Sequence, residues 1–179
     1  MRSIRGQLAF TLIEVSMVMV LISVLGATAT ARFQDLSTSA ESVKIDNIYS
    51  IADLYLQKAN GFQYVLLGSP NNATNVDLDG ISVNFRNGLI RRTENRAHVP
   101  VGTPNRGNQA TRFWYMIFQA PPPVIARNDS SSIGWAMYTG VAQCGVNRSR
   151  CWKYRKAGVE LAVITYEFSS GTVTLVKNI

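Results

Sequence analysis

The chain has 179 residues, of which 46% are hydrophobic and 16% charged. That length suffices for one domain plus an extra element, and the apolar content excludes a disordered chain. The formal net charge of +7 points to anionic surroundings such as nucleic acid, acidic polysaccharide or lipid headgroups, without choosing among them.

Residues 6–27, GQLAFTLIEVSMVMVLISVLGA, lead into an apolar run that covers 10–31 without proline. At about 1.5 Å of rise per residue, a helix over that run crosses a hydrocarbon core of roughly 30 Å. Arg2 and Arg5 precede it, so the positive-inside bias keeps the start in the cytoplasm and sends 32–179 outward. A single acid, Glu14, interrupts the run. A charge at the centre of a membrane helix costs about 2.5–3.5 kcal/mol even on a lenient scale, so Glu14 demands a reason. Three readings compete. An ordinary signal peptide would use 15–25 as its apolar region and Ala27, Ala29 and Ala31 as its small-residue cleavage site. An uncleaved anchor tolerates Glu14 without explaining it. A cut after Ala9 would leave Phe10 as the new N-terminus and retain the whole apolar helix.

Beyond the run, the spacing of Phe33, Leu36, Ala40, Val43, Ile48, Ile51, Tyr55 and Ala59 predicts an amphipathic helix over 32–59 that stops at Asn60-Gly61. Residues 10–59 then make one helix of about 75 Å. The stretch 60–80, with GSPNNATNVDLDG, is dense in Gly, Pro, Asn and Asp and reads as loop. Asp77 and Asp79 fall short of a calcium-loop pattern, and turn chemistry is their simpler role. Residues 81–85 alternate apolar and polar, and Asn87-Gly88 follows, which predicts a hairpin returning over 89–93. His98 lies in the polar stretch 94–111 and reads as a surface residue. FWYMIFQ (113–119) reads as a strand covered on both faces, and 133–141 as the next strand. Strands over 152–155, 159–168 and 172–177, separated by Gly158 and by SSG, complete an antiparallel sheet over 81–179. The fold class is α+β, a long N-terminal helix (apolar in its first half, amphipathic in its second) packed on a C-terminal antiparallel sheet.

Cys144 and Cys151 lack the partners for a zinc site or a redox pair. If the apolar segment exports the chain, an oxidising compartment makes a disulfide the default, closing a loop at the edge of the C-terminal sheet. No metal cluster, phosphate loop, nucleophile elbow or paired acids stand out, and one histidine supports no triad. The chain therefore reads as a non-enzyme with no cofactor. The surface cluster NRSRCWKYRK (147–156) holds Arg148, Arg150, Lys153, Arg155 and Lys156 around Trp152 and Tyr154. It is either an anion- or DNA-binding ridge that adds stacking to charge, or a core-facing aromatic pair whose strand is solvated by cations on its other side. The second is favoured.

Ala-Phe-Thr-Leu-Ile-Glu at 9–14, behind a short basic leader and ahead of a long apolar run, resembles the class III leader of type IV prepilins and pseudopilins. ARFQDLS (31–37) and VDLDGISVNFRNG (76–88) are similar to stretches in pilins of the mannose-sensitive haemagglutinin (MSHA) type. Ala9 stands where the family usually has Gly, and Ala31 where many relatives carry a helix-kinking proline. The resemblance implies a pilin-like fold: leader 1–9, membrane and filament-core helix 10–31, globular domain 32–179. It implies cleavage between Ala9 and Phe10 by a prepilin peptidase, methylation of the Phe10 amine, and pairing of Glu14 with the Phe10 amine of a neighbouring subunit. The partners implied are other copies of the chain, the pilus assembly machinery and the bacterial inner membrane. Small residues (Ser16, Ser23, Gly26, Ala27, Ala29, Ala31) would let the helices approach closely. The product would be an extracellular adhesive pilus whose surface receptor or polysaccharide the sequence does not name. A type II secretion pseudopilin shares the N-terminal motif, and a monomeric anchored or secreted binding module is the third expectation.

Overall fold

A computed structural model describes residues 12–67 and 74–179, with the side chains of 62–67 and Thr74 outside the description. The expected cleavage site, Ala9 and Phe10, lies outside the described residues. The chain divides into two compact units, the residues up to Val43 and Lys44–Ile179. Helix α1 (Leu12–Leu67) contributes to both.

The first unit is helix throughout its described residues. Over 12–31 every residue is exposed, Leu12 at 89% and Leu25 at 66%, and apart from Glu14 none is charged. The four hydroxyls of that stretch bond back into the helix. Ser16, Ser23, Thr28 and Thr30 donate to the carbonyls of Leu12, Met19, Val24 and Gly26, one turn back, at 2.7–3.1 Å. Polar atoms satisfied inside their own helix are what a hydrocarbon surrounding requires. By length and composition this helix can cross a membrane.

The second unit is built on the other half of α1. Ile45, Ile48, Ala52, Leu56 and Ala59 recur at three- and four-residue spacing and are buried. This stripe is offset from the expected one. Ile48 and Ala59 belong to both, whereas Phe33, Leu36 and Val43 are exposed at 73, 69 and 66%. The helix also outruns its expected stop at Asn60-Gly61. Gly61 does not adopt a positive φ, and the apolar residues after it carry the helix to Leu67.

Strands β1 (Thr74–Leu78), β2 (Ile81–Arg86) and β3 (Leu89–Thr93) form one antiparallel sheet in sequence order. The Asn87-Gly88 turn is the expected one, with φ of 55° and 77° and Arg86 opposite Leu89. Strand β1 corrects the loop expected over 60–80. Asp79-Gly80, at φ 52° and 79°, makes a second two-residue turn of the same kind, and Asp77 Oδ1 accepts from Gly80 N at 2.6 Å. Helix α2 (Gln109–Ile117) replaces the strand expected at 113–119. Asn108 caps it, its side chain accepting from Ala110 N at 2.8 Å. Gln109 fastens it to β3 through both backbone groups of Thr93.

Strand β4 (Gly134–Thr139), a single helical turn α3 (Val141–Cys144), and strands β5 (Ser149–Lys156), β6 (Val159–Glu167) and β7 (Val173–Lys177) follow. The four strands pair antiparallel in sequence order. The sheet expected over 81–179 is thus two sheets with α2 between them in sequence. Both sheets, α2 and the buried stripe of α1 share one core, centred on Phe85, Phe113, Trp114, Trp135, Trp152 and Tyr166.

Asn60, expected to end α1, instead ties it to the first sheet. It is buried, and its Oδ1 accepts from Ile90 N at 3.1 Å and from the Tyr166 hydroxyl at 3.5 Å. Asn60→Ala leaves the Ile90 N–H buried without a partner and is expected to cost about 1–2 kcal/mol. Urea denaturation of the full chain in detergent checks this, with an unchanged midpoint as the contrary result.

Candidate functional site

Glu14 is the one acid in the apolar stretch 12–31 of α1. It is exposed, on a turn flanked by Leu12, Ile13, Val15 and Met17, all exposed as well. A helix of this surface needs either lipid or other apolar helices around it.

The second candidate region is β5. Period-two alternation puts Arg150, Trp152 and Tyr154 on the core face, and Cys151, Lys153 and Arg155 on the other. The aromatic pair does face the core. Trp152 lies 5.8 Å from Trp114, ring centre to ring centre, and Tyr154 lies 5.2 Å from Trp135. Trp152 Nε1 donates to Ala110 O at 2.9 Å. Arg150 departs from the expected surface ridge, because its register places it inside with the tryptophan and tyrosine.

Arg150 is 5% exposed. Its guanidinium carbon sits 4.2 Å from the Phe113 ring centre and 4.1 Å from that of Phe168. Two ring faces partly replace the water it has lost. Nη2 donates to the Arg91 carbonyl, while Nε and Nη1 have no hydrogen-bond partner. Burial pushes its pKa down to about 9, opposed by Tyr166 and reinforced by Arg91, so it remains a cation at neutral pH. Burial likewise pushes the neighbouring Tyr166 hydroxyl up to about 12, against its hydrogen bond with Asn60.

The other four cations are distributed differently. Arg148 is exposed, at the left-handed φ of 55° before β5. Lys153 pairs with Glu160 at 3.0 Å. Arg155 donates to the Arg127 carbonyl at 2.9 Å. Lys156 is half-buried at the strand end. Arg127, which sequence reasoning did not single out, donates to Met137 O at 2.8 Å. It lies 5.2 Å from the Tyr138 ring centre, which Lys153 and Arg155 also approach, at 5.6 and 5.5 Å. The five cations of the sequence cluster therefore do not form one exposed ridge.

Cys144 and Cys151 are joined in a disulfide with Cα atoms 5.6 Å apart. The expected pairing holds, but its place does not. Cys151 is on β5, an interior strand between β4 and β6, and it packs with Ile125, Ala136 and Tyr138 on the face away from the main core. His98 is half-buried, with Nε2 3.0 Å from the Arg112 carbonyl. Among the described residues no group of three or more His, Cys, Asp or Glu side chains is placed to hold a metal ion.

Comparison with known proteins finds no matching family model, no matching curated protein and no matching solved structure.

Proposed function

We propose that this chain is the structural subunit of an extracellular filament of the type IV pilus kind, held in the bacterial inner membrane by its N-terminal helix until assembly. The observation that carries the reading is the apolar stretch 12–31 of α1, its hydroxyls bonded back into the helix, with Glu14 as its one acid. That helix continues into a folded α+β unit. The hexapeptide at 9–14 adds the resemblance to prepilins, and with it the cut before Phe10 and the methylated amine. In such a filament the apolar helices exchange lipid for one another, and the folded units lie outside. Glu14 then meets the Phe10 amine of a neighbour and sets the register of addition. A buried charge is tolerable when paired, and leaving one partner alone is the larger cost.

Glu14→Ala separates this role from membrane insertion. Removing a charge from an apolar helix favours the bilayer, so a residue concerned only with insertion would be dispensable. In the filament reading the same change strands a buried amine, at several kcal/mol per docking event. The expected result is a protein that is made, inserted and cut, yet scarce in sheared surface filaments when it is the only copy. Glu14→Gln is expected to fail too, since it keeps size and polarity but not charge. Wild-type amounts of both variants in filaments would remove the assembly role. Intact mass of the wild-type protein tests the cut itself, and a chain beginning near Thr30 or Arg32 would replace the filament with a secreted monomer.

A further inference from the structure

An open cavity of about 650 Å³ lies where the start of α2 meets the ends of β4 and β5. Arg127, Arg148 and Arg150 line it, and among the described residues no aspartate or glutamate does. Asn108 and Gln109, at the N-terminus of α2, form another wall, where the helix dipole and the first backbone N–H groups favour an anion. Thr139, Ser149 and the Phe168 ring complete it. The independent observation is Arg150. It is a buried cation in the cavity wall, with no carboxylate paired to it among the described residues and with two of its nitrogens unbonded. Ring faces soften its desolvation but accept none of its N–H groups in the plane of the guanidinium, where a carboxylate would take two. A charged side chain held in this state is incomplete without an anion.

We propose that this cavity binds an acidic sugar residue, its carboxylate held by Arg150 and Arg148 and its hydroxyls by Asn108 and Thr139 at the rim. The volume falls in the range of small-ligand sites and exceeds what a bare inorganic anion fills. The lining supplies both parts of such a ligand: guanidinium forks for the oxyanion, and the Asn108 amide N–H2 and the exposed Thr139 hydroxyl for a polyhydroxylated ring. Arg127 adds positive potential from the β4 side. The lowered pKa of Arg150 agrees with this, because a cation without a counter-ion gains most from one. The inference concerns the folded unit alone and stands whether or not the chain builds filaments.

Isothermal titration calorimetry of the full chain in detergent micelles tests it with three probes: sodium glucuronate, glucose and inorganic phosphate. Glucuronate is expected to bind about tenfold or more tightly than glucose, the worth of one charge-assisted hydrogen-bond pair, and more tightly than phosphate. Arg148→Asn removes one charge and retains a residue that accepts the left-handed backbone there. It is expected to weaken glucuronate about tenfold with the thermal midpoint unchanged. Arg150→Met, an apolar side chain of similar length, is expected to weaken it at least as much, and Arg148→Asn carries the test if that variant does not fold. Lys153→Ala, on the opposite face, is expected to leave binding unchanged. Equal affinity for glucuronate and glucose, or no glucuronate binding, overturns the site. So does a loss with Lys153→Ala equal to that with Arg148→Asn. Phosphate binding tighter than glucuronate overturns the sugar assignment.

Discussion

Trp114→Ala is expected to remove about 3–5 kcal/mol from the stability of the folded unit, the range for deleting a buried large aromatic side chain. Domains of this size are stable by about 5–15 kcal/mol in all, so the change threatens folding itself. Trp114 is wholly buried and sits where three others converge. Its ring centre is 4.6 Å from Phe118, 5.0 Å from Trp135 and 5.8 Å from Trp152. It is therefore the contact that joins α2 to β4 and β5 at once. Its Nε1 donates to Pro122 O at 3.2 Å, which fixes the turn leaving α2 as well. Alanine opens a cavity among rings too large to collapse into it, and strands the Pro122 carbonyl. Trp114→Phe keeps most of the packing and loses the hydrogen bond, so about 1–2 kcal/mol is expected. Urea denaturation followed by near-ultraviolet circular dichroism measures both. Equal effects of the two variants would show that the hydrogen bond outweighs the packing, contrary to this account.

Replacing Cys144 and Cys151 together by alanine is expected to cost about 2.5 kcal/mol. The loop they close spans a sequence separation of seven, and the chain-entropy model assigns such a loop about that value. The position of the bond adds a second consequence. It pins α3 to β5 on the outer face, where Ile125, Ala136, Tyr138 and Cys151 form a small buried cluster. That cluster is too small to hold the turn without the covalent link, so the cost is local as well as global. Faster hydrogen exchange at Val141–Cys144, the α3 turn, is expected before any change in the main core. Alkylation of unreduced protein provides the companion measurement, since full labelling of both thiols would show that the bond does not form.

What could be read from the sequence was what depends on near neighbours. Asn87-Gly88 announces its turn because the left-handed backbone it needs is a property of those two residues. Asp79-Gly80 carries the same signal, but the Gly, Pro and Asn residues just before it made the whole stretch look like loop. Residues 113–119 illustrate the opposite limit. An unbroken apolar run carries no period, so strand and helix fit it equally, and the decision rests on Asn108 and Gln109 outside the run. Arg150 was missed for a related reason. Alternation assigned the aromatic residues of β5 to the core, and by the same rule Arg150 belongs with them. The prior that arginine lies outside overrode the register. The cysteine pair was legible and its strand position was not, because strand order depends on distant partners.

The strand pairings carry a consequence for how the chain is made. Among the described residues the five pairings of β1–β7 all join strands that follow one another in sequence, three of them across two-residue turns at Asp79-Gly80, Asn87-Gly88 and Ala157-Gly158. Each such hairpin can close within microseconds of emerging during synthesis. The α1 contacts of β7 are different. Lys177 Nζ meets Asp46 Oδ2 at 2.8 Å across 131 residues, and Tyr49 donates to the Val173 carbonyl across 124. These bonds wait for the last strand to be translated. Until then the buried stripe of α1 and the Ile164 side of β6 have lost one covering edge, and a ribosome that stalls before residue 173 releases a chain with apolar surface open to chaperone and protease.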